Sequence, residues 1–408
     1  MSARVYKTES PHIDDVLEKY SNVPDLTMLA LGSVYWNPPQ KAVDKLAHVI
    51  ANSLTHKYGD ILGLAELREH LTCLMQEKGL NMEGMNISIT AGANQAFVDA
   101  AMAVCDEGDN AIILAPYFFS HRMTLQMCNA NISICPFDTK TLAPDFEELK
   151  RLVSELKPKL VVMTSPNNPS GYVFSAEQVR CVVELCRSVG AWLVADQTYH
   201  EFLYDGADHV FPCGSAQSFA YDKILHIFSF SKIFGMPGWR VGYIVFPECL
   251  TQHIRKIQDA VPTHAAILSQ HLALACLQDY YPRGSGIKKV RVDPTSSREG
   301  YSSWAMDTVG TLEVARSALW PALQSVGTVR TNGSFYFLVP VPSGVEEEEA
   351  VHMLATQYGV LLMPGSAFGA PQHMRLSYGN VHPDKLSTAV DKIQRGLQRL
   401  LELSSERS

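Results

Sequence analysis

The sequence lacks the features that mark several large classes of protein. It has no apolar run long enough to cross a bilayer, and its first residues show neither the apolar stretch of a secretory signal nor a clear transit-peptide pattern. Acidic residues number 42 against 34 basic ones, a net charge of −8, and no long basic segment occurs. Nucleic acid and anionic membranes attract such segments. We therefore expect a cytoplasmic protein that binds neither nucleic acid nor a membrane.

Metal-binding cysteine patterns are also missing. The nine cysteines are scattered, and Cys181 and Cys186 lie five residues apart, so neither a CxxC pair nor another zinc spacing occurs. This distribution predicts reduced, mostly buried thiols and no metal site.

Apolar residues are plentiful and make up 46% of the 408 residues. A chain of this length suits about two domains. Short β-rich runs alternate with helical patterns such as Ala93–Cys105 and Ala176–Val189. The predicted strands are Asn86–Thr90, Ala111–Ala115, Lys159–Thr164, Ala191–Ala195, Ile224–Phe228 and Arg240–Phe246. Several are continuously apolar, which predicts an α/β domain with a largely parallel sheet covered by helices on both faces.

The C-terminal third has a different pattern, which predicts a smaller α+β unit. Its expected elements are the strands Ser334–Val341, Val360–Met363 and His373–Tyr378 and the helices Glu346–Tyr358 and Asp384–Leu403. We expect residues 46–300 to form the large domain and residues 301–408 the small one. Residues 1–45 have no clear pattern of their own, and we expect them to pack on the small domain.

One segment, Pro282–Ser303, combines Pro, Gly and Ser with five basic residues between two helical patterns. This composition predicts a solvated surface loop. A lid or a partner contact is the alternative.

Lys232 has unusual neighbours for a lysine. It follows the apolar strand Ile224–Phe228 within Ser-Phe-Ser-Lys, and a glycine-rich turn and Arg240 come after it. In open α/β sheets ligands bind beyond the carboxyl ends of the strands. Burial and nearby cations lower the pKa of an amine there and make it a nucleophile toward an aldehyde. Ser229, Ser231 and Arg240 together resemble a phosphate cradle.

Asp196 follows another predicted strand. Its carboxylate is consistent with a helix cap, a metal ligand or a partner for a heterocyclic nitrogen, and a carboxylate beside a pyridine nitrogen keeps that nitrogen protonated. No second group of metal ligands lies nearby in the sequence. Tyr199, three residues later, is either a core aromatic residue or a donor to an oxygen of the same ring.

Two turns add further candidate ligand-binding groups. The turn 165–171, SPNNPSG, follows a predicted strand and can direct Asn168 at a ligand oxygen. The segment 90–94, TAGAN, joins a strand to a helix, whose free N–H groups and dipole favour a phosphate.

These motifs carry a family resemblance. SPNNPSG, DQTY, SFSKIFGMPGWRVGY and MRLSYG, in this order and at these separations, resemble class I/II aminotransferases of the aspartate aminotransferase fold, which are pyridoxal 5′-phosphate (PLP) enzymes. The resemblance covers nearly the whole chain and implies the PLP-dependent transferase fold type I. LGSVYWNPPQKA, TAGANQAF and VPTHAAILSQ are similar to the plant-type aromatic and methionine aminotransferases.

The resemblance implies a role for each residue around the cofactor ring. Lys232 is the Schiff-base lysine and proton shuttle, and Asp196 pairs with the pyridinium nitrogen with support from His121. Tyr199 and Asn168 hydrogen-bond the phenolic oxygen of the ring.

Other implied contacts involve the ring face, the phosphate and the substrate. Phe118 stacks on the ring, and Tyr58 reaches the phosphate in the neighbouring subunit of a homodimer. Arg375 and Gly32 bind the substrate carboxylate with Asn168. The implied phosphate-side residues are Gly92, Ala93, Asn94, Ser229, Ser231 and Arg240.

The implied activity is transfer of an amino group between an L-amino acid and a 2-oxo acid through a Schiff base on Lys232. The second arginine of aspartate-specific members cannot be placed, and the segment Pro282–Ser303 departs from the family pattern. Tyr35 and Trp36 either line an apolar side-chain pocket or serve simple packing. We therefore expect aromatic amino acids or methionine as substrates.

Other activities stay open. They are a PLP-dependent C–S β-lyase, a kynurenine/glutamine- or aspartate-type aminotransferase, and a PLP-binding regulator that is not an enzyme. Only about 30 residues precede the first family motif, too few for a helix-turn-helix module, which argues against the regulator.

Overall fold

The computed structural model describes residues 2–212, 221–281 and 303–407. The predicted loop Pro282–Ser303 lies outside these ranges, apart from Ser303, which begins a helix. No helix among the described residues is long and apolar enough to cross a membrane. The compartment stays a prediction.

Twelve strands occur in the described ranges. They are β1 (Thr27–Met28), β2 (Met85–Thr90), β3 (Asn110–Leu114), β4 (Asn131–Cys135), β5 (Leu160–Thr164), β6 (Trp192–Asp196), β7 (Ile224–Ser229), β8 (Gly242–Pro247), β9 (Tyr336–Pro340), β10 (Val360–Leu361), β11 (Met363–Pro364) and β12 (His373–Ser377).

Thirteen α-helices occur in the same ranges. They are α1 (Ala3–Lys7), α2 (His12–Lys19), α3 (Gln40–Ala51), α4 (Ala65–Glu77), α5 (Ala93–Val104), α6 (Phe119–Met127), α7 (Phe146–Leu156), α8 (Ala176–Val189), α9 (Thr251–Ala260), α10 (Ile267–Tyr280), α11 (Ser303–Gln324), α12 (Glu347–Tyr358) and α13 (Leu386–Arg407).

The large sheet has seven strands in the order β2-β8-β7-β6-β5-β3-β4. All neighbours from β7 to β4 are parallel, and β8 is antiparallel to both β7 and β2. Six of the seven strands therefore point the same way and end at one edge. The predicted α/β class with a largely parallel sheet is confirmed.

Helices cover both faces of this sheet, which explains its continuously apolar strands. Val161 of β5 packs in one core with Val183 of α8, and Val162 packs in the opposite core with Phe97 of α5. Because successive side chains of a strand point to opposite faces, a strand buried on both sides needs an apolar residue at every position.

Three details of the predicted strands were wrong. The last strand of the large sheet begins at Gly242 rather than Arg240, because Arg240 has a left-handed φ of 52° that ends a 3-10 turn. The expected strand Val360–Met363 is divided between two sheets at Leu362. Strand β4, at an edge of the sheet, was not predicted.

The C-terminal part has a three-stranded antiparallel sheet in the order β11-β12-β9. Strand β1 pairs parallel with β10, so residues 27 and 28 attach to this part, and the packing of the whole segment 1–45 stays a prediction. Helix α3 packs on α10, and the predicted boundary at residue 45 falls within α3. The domain boundaries stay predictions.

Candidate active site

The polar segments singled out in the sequence meet at one edge of the large sheet. Strands β2, β5, β6 and β7 all end there, and Arg240 precedes β8 at the same edge. A cleft of about 240 Å³ opens at this edge. Its lining comprises Ile13, Leu31, Gly32, Ser33, Ala93, Asn94, Phe118, His121, Asn168, Asp196, Thr198, Tyr199, Ser229, Ser231, Lys232, Arg240, Tyr336 and Arg375.

Lys232 projects into the cleft from the turn that follows β7, a strand buried along its whole length. Its Nζ donates a hydrogen bond to the carbonyl oxygen of Gly32 at 2.5 Å. Burial lowers the pKa of the Lys232 amine from 10.5 to about 8, and the charges of Arg375 and Arg240 act in the same direction. Because only the unprotonated amine attacks a carbonyl carbon, this environment makes Lys232 a nucleophile near neutral pH.

Asp196 is the last residue of β6 and is buried. Its Oδ1 accepts hydrogen bonds from the Thr198 backbone at 3.0 Å and hydroxyl at 2.7 Å, and its Oδ2 lies 3.1 Å from His121 Nε2. Burial favours the neutral acid, but the hydrogen bond and charge of His121, with the Thr198 bonds, outweigh it and lower the pKa of Asp196. The cleft thus holds a buried, ionised carboxylate.

Tyr199 and Tyr336 form a buried pair of phenols. Their hydroxyl oxygens are 2.6 Å apart, although the two residues come from opposite parts of the fold. Burial raises the pKa of both phenols, most strongly that of Tyr199. Each hydroxyl therefore keeps its proton near neutral pH and can donate a hydrogen bond.

Arg375 is a buried cation on β12. Its Nη1 donates to Asn168 Oδ1 at 2.9 Å and its Nη2 to the carbonyl oxygen of Ala30 at 2.6 Å, whereas Nε has no hydrogen-bond partner among the described residues. Burial lowers the pKa of Arg375, and the groups that oppose this are the phenols of Tyr336 and Tyr199 rather than a carboxylate. A buried guanidinium without an anion is costly, so this position is suited to an anionic ligand.

Arg240 lies beside the N-terminus of α5. Its guanidinium donates to the carbonyl oxygens of Pro237 at 2.9 Å and Ala91 at 3.2 Å. A Cβ on Gly92 would lie 3.1 Å from the guanidinium carbon and closer still to Nη2, and Gly92 has a φ of 85°, so glycine alone fits here. A cation, the first N–H groups of α5 and the hydroxyls of Ser229 and Ser231 thus lie along one cleft, and a set of this kind can hold a phosphate.

The cleft brings together most of the predicted site residues. Phe118 lines it, with its ring centroid 5.6 Å from that of His121. Gly92 lies against the guanidinium group of Arg240. Tyr58 is not in the lining of its own chain's cleft and is 87% exposed.

Tyr35 and Trp36 were expected either in the substrate pocket or in packing, and they serve packing. The Tyr35 hydroxyl donates to Thr311 Oγ1 at 2.9 Å, and Trp36 Nε1 donates to the carbonyl oxygen of Ile233 at 3.2 Å. Trp36 also lies against Gly235. Neither residue lines the cleft.

The sequence reasoning missed five residues of the lining: Ile13, Leu31, Ser33, Thr198 and Tyr336. Thr198 carried a signal, because it lies within the DQTY motif beside Asp196. Leu31 and Ser33 carried one too, because they flank Gly32 in the LGSVYW motif. Ile13 and Tyr336 carried none, since they lie in segments without a chemical pattern.

The model of the family "Aminotransferase class I and II" matches residues 24–393. The chain belongs to this family. An aromatic aminotransferase of Arabidopsis thaliana, ISS1, is 33% identical to this aminotransferase. The match covers 98% of this chain and 97% of the relative. A probable aspartate/prephenate aminotransferase of Thermus aquaticus is 27% identical over 92% of both chains. The structure of a single-mutant aspartate aminotransferase of Thermus thermophilus matches 97% of this chain and 99% of that one, at 25% identity with a TM-score of 0.83.

These findings confirm the predicted family, the fold type I architecture and a PLP-dependent aminotransferase. The cleft fits PLP on its own chemistry. PLP carries an aldehyde, a ring nitrogen, a phenolic oxygen and a phosphate. The cleft offers a group of matching chemistry for each: an amine with a lowered pKa, an ionised carboxylate, protonated hydroxyls and a cationic helix N-terminus.

Proposed function

We propose that this aminotransferase holds PLP between β6, β7 and α5, with the aldehyde carbon at Lys232. Asp196 pairs with the ring nitrogen, and His121 keeps that carboxylate ionised. Tyr199 and Asn168 donate to the phenolic oxygen, and Phe118 covers the ring. What supports these roles is the set of buried groups described above: Asp196 is kept ionised inside the cleft, and the buried guanidinium of Arg375 has no carboxylate partner among the described residues. The phosphate-side residues are Gly92, Ala93, Asn94, Ser229, Ser231 and Arg240.

The residues of the cleft then perform transamination as follows. When bound, PLP supplies an electron-withdrawing ring that stabilises negative charge at the substrate Cα. Asp196 keeps the ring nitrogen protonated, which strengthens this withdrawal. Lys232 Nζ, with a pKa of about 8, can both accept and return a proton at Cα near neutral pH. Tyr199, whose raised pKa keeps its proton in place, holds the phenolic oxygen as a hydrogen-bond donor.

Arg375 binds the substrate α-carboxylate in this proposal. Its Nη1 and Nη2 already have acceptors, and the guanidinium has no carboxylate partner among the described residues. Asn168, which accepts from Nη1, and Gly32, whose carbonyl faces Lys232, border the same position. A carboxylate there would supply the missing charge.

For the substrate side chain we propose a large apolar group, as in aromatic amino acids or methionine. The cations in the described lining are Lys232, Arg240 and Arg375, and each already has a role, so this lining offers no further cation to a second carboxylate. Ile13, Leu31 and other apolar groups border the cleft. The Arabidopsis relative at 33% identity is named an aromatic aminotransferase.

Single-turnover spectroscopy with tryptophan, methionine, alanine and aspartate tests this proposal. Tryptophan and methionine should convert the cofactor to its aminated form faster than aspartate. Arg375→Ala should weaken all four amino acids alike, by about 30-fold or more, because each has an α-carboxylate. Ile13→Ala should instead change the ranking, with a loss of about tenfold for the large side chains.

A clear preference for aspartate would refute the apolar pocket and leave the aminotransferase activity standing. Release of ammonia and an oxo acid from cysteine conjugates, in place of transamination, would favour a C–S β-lyase.

We also propose a homodimer in which Tyr58 reaches the partner's phosphate site. Ile50, Leu54 and Tyr58 are exposed large apolar residues within nine positions, and Tyr58 contacts His264, three residues from the exposed Val261. Contiguous exposed apolar residues mark association surfaces.

Sedimentation of the Leu54→Asp variant tests the dimer. A charge in the interface should shift the protein toward monomer. Val314→Asp is the matched control, because Val314 is equally apolar and exposed but lies on α11. A monomeric unmodified protein, or equal behaviour of the two variants, would contradict the proposed interface.

A further inference from the structure

Tyr336 is a residue of the cleft to which the proposed reaction assigns no task. It begins β9 and is 1% exposed. Its hydroxyl lies 2.6 Å from that of Tyr199, the proposed donor to the phenolic oxygen of PLP. A polar atom buried this deeply at a reaction site needs an explanation beyond packing.

The position of the Tyr336 ring is fixed from two sides. The guanidinium carbon of Arg375 lies 4.8 Å from the ring centroid, and Arg375 comes from β12, which pairs with β9. On the other side, a Cβ on Gly32 would lie 3.4 Å from the ring carbon that carries the hydroxyl and would overlap the hydroxyl oxygen itself. A glycine at position 32 is therefore what allows the hydroxyl to reach Tyr199.

The direction of the hydrogen bond between the two phenols follows from their ligands. Each phenol has one proton, and either oxygen can be the donor in the pair. A deprotonated phenolic oxygen of PLP can only accept a hydrogen bond, so the Tyr199 hydroxyl donates to it. Tyr199 must then accept from Tyr336.

We infer that Tyr336 is a positioning residue, which donates to the Tyr199 hydroxyl and so directs the Tyr199 proton toward the cofactor. This inference rests on the proposed role of Tyr199. A hydroxyl that accepts a hydrogen bond becomes a stronger donor, because hydrogen bonds in a chain polarise one another. Tyr336 thus strengthens the bond that Tyr199 makes to the phenolic oxygen.

Spectroscopic pH titration of the PLP-loaded protein tests the inference. The absorbance of PLP bound to Lys232 changes as the proton shared by the Lys232 nitrogen and the phenolic oxygen is lost. A donor to that oxygen stabilises the deprotonated form and lowers the midpoint of the titration. Tyr199→Phe should therefore raise the midpoint by about 1–2 pH units, the equivalent of one hydrogen bond to a charged group.

Tyr336→Phe should raise the midpoint by roughly 10–30% of the Tyr199→Phe shift, the estimated cooperative share of a linked hydrogen bond. In the Tyr199→Phe background the same substitution should have no effect, because Tyr336 acts through Tyr199. Tyr378→Phe is the matched control. It removes another buried hydroxyl, bonded to the Ser334 carbonyl oxygen outside the cleft, and should leave the midpoint unchanged.

Each other outcome overturns the inference. An unchanged midpoint in Tyr336→Phe shows that its hydroxyl does not act on Tyr199. An equal shift in both backgrounds shows that it acts by another route. An unchanged midpoint in Tyr199→Phe refutes the proposed role of Tyr199, and the inference about Tyr336 with it.

Discussion

Replacing Lys232 with alanine should reduce turnover on the order of 10⁶-fold, about 8 kcal/mol of barrier, by analogy with loss of a covalent nucleophile in other enzymes. Lys232 is proposed both to bond to the cofactor and to move the proton at Cα, and no second lysine lines the cleft in the described residues. Steady-state rates with tryptophan as donor measure the effect.

Lys223→Ala is the control for this substitution. Lys223 lies just before the other end of β7, where its Nζ donates to the carbonyl oxygen of Gly190, so its loss should leave turnover near normal. Substantial turnover in the Lys232→Ala protein would show that the reaction does not need this amine.

Asp196→Asn should lower turnover by on the order of 5 kcal/mol of barrier, by analogy with other nearly isosteric losses of an active-site charge. The amide has the same shape but no negative charge to keep the ring nitrogen protonated. Cofactor binding should survive in part, because the phosphate and ring contacts remain. Turnover and cofactor content, measured on the same preparation, separate the two effects.

The alternative for Asp196 is a purely structural cap on the turn at Thr198. An asparagine Oδ1 could still accept the two hydrogen bonds from Thr198, so a cap would survive the substitution. Near-normal turnover in Asp196→Asn would therefore support the cap. Thr198→Val is the matched variant, because it removes one hydrogen bond to Asp196 but keeps the negative charge. Turnover should fall far less in Thr198→Val than in Asp196→Asn.

The parts of the site that could be predicted from the sequence are those at strand ends. Asp196 and Lys232 each follow a short apolar run, and parallel strands deliver such residues to one edge of the sheet. The register of the sheet was not needed for this conclusion. The fold class did not depend on the register either, because the alternation of strands and helices alone predicts a largely parallel α/β sheet.

Residues brought in by tertiary contacts could not be predicted in this way. Tyr336 contacts Tyr199, which lies 137 positions away in the sequence. Its own segment, Phe-Tyr-Phe at 335–337, has the pattern of an ordinary core strand. Ile13 lies on a short helix with no buried residue, and only the packing of the N-terminal segment brings it to the cleft. Local patterns contain no information about such pairings.

Proximity in sequence to Gly32 also left the role of Tyr35 and Trp36 open between a substrate pocket and packing. They follow Gly32 closely, but the chain turns away after Ser33, and Trp36 packs against the turn that contains Ile233 and Gly235. The left-handed Arg240 is a similar case, because its place at the start of an apolar run favours a strand and the sequence does not show the 3-10 turn that it ends.

The proposed attachment of PLP to Lys232 is tested most directly by locating the cofactor bond. Borohydride reduction of the PLP-loaded protein, followed by protease digestion and mass mapping, locates the lysine to which the cofactor is attached. We predict one labelled peptide, containing Ser229–Lys232, with the label on Lys232. A label on any other lysine would contradict the proposed attachment.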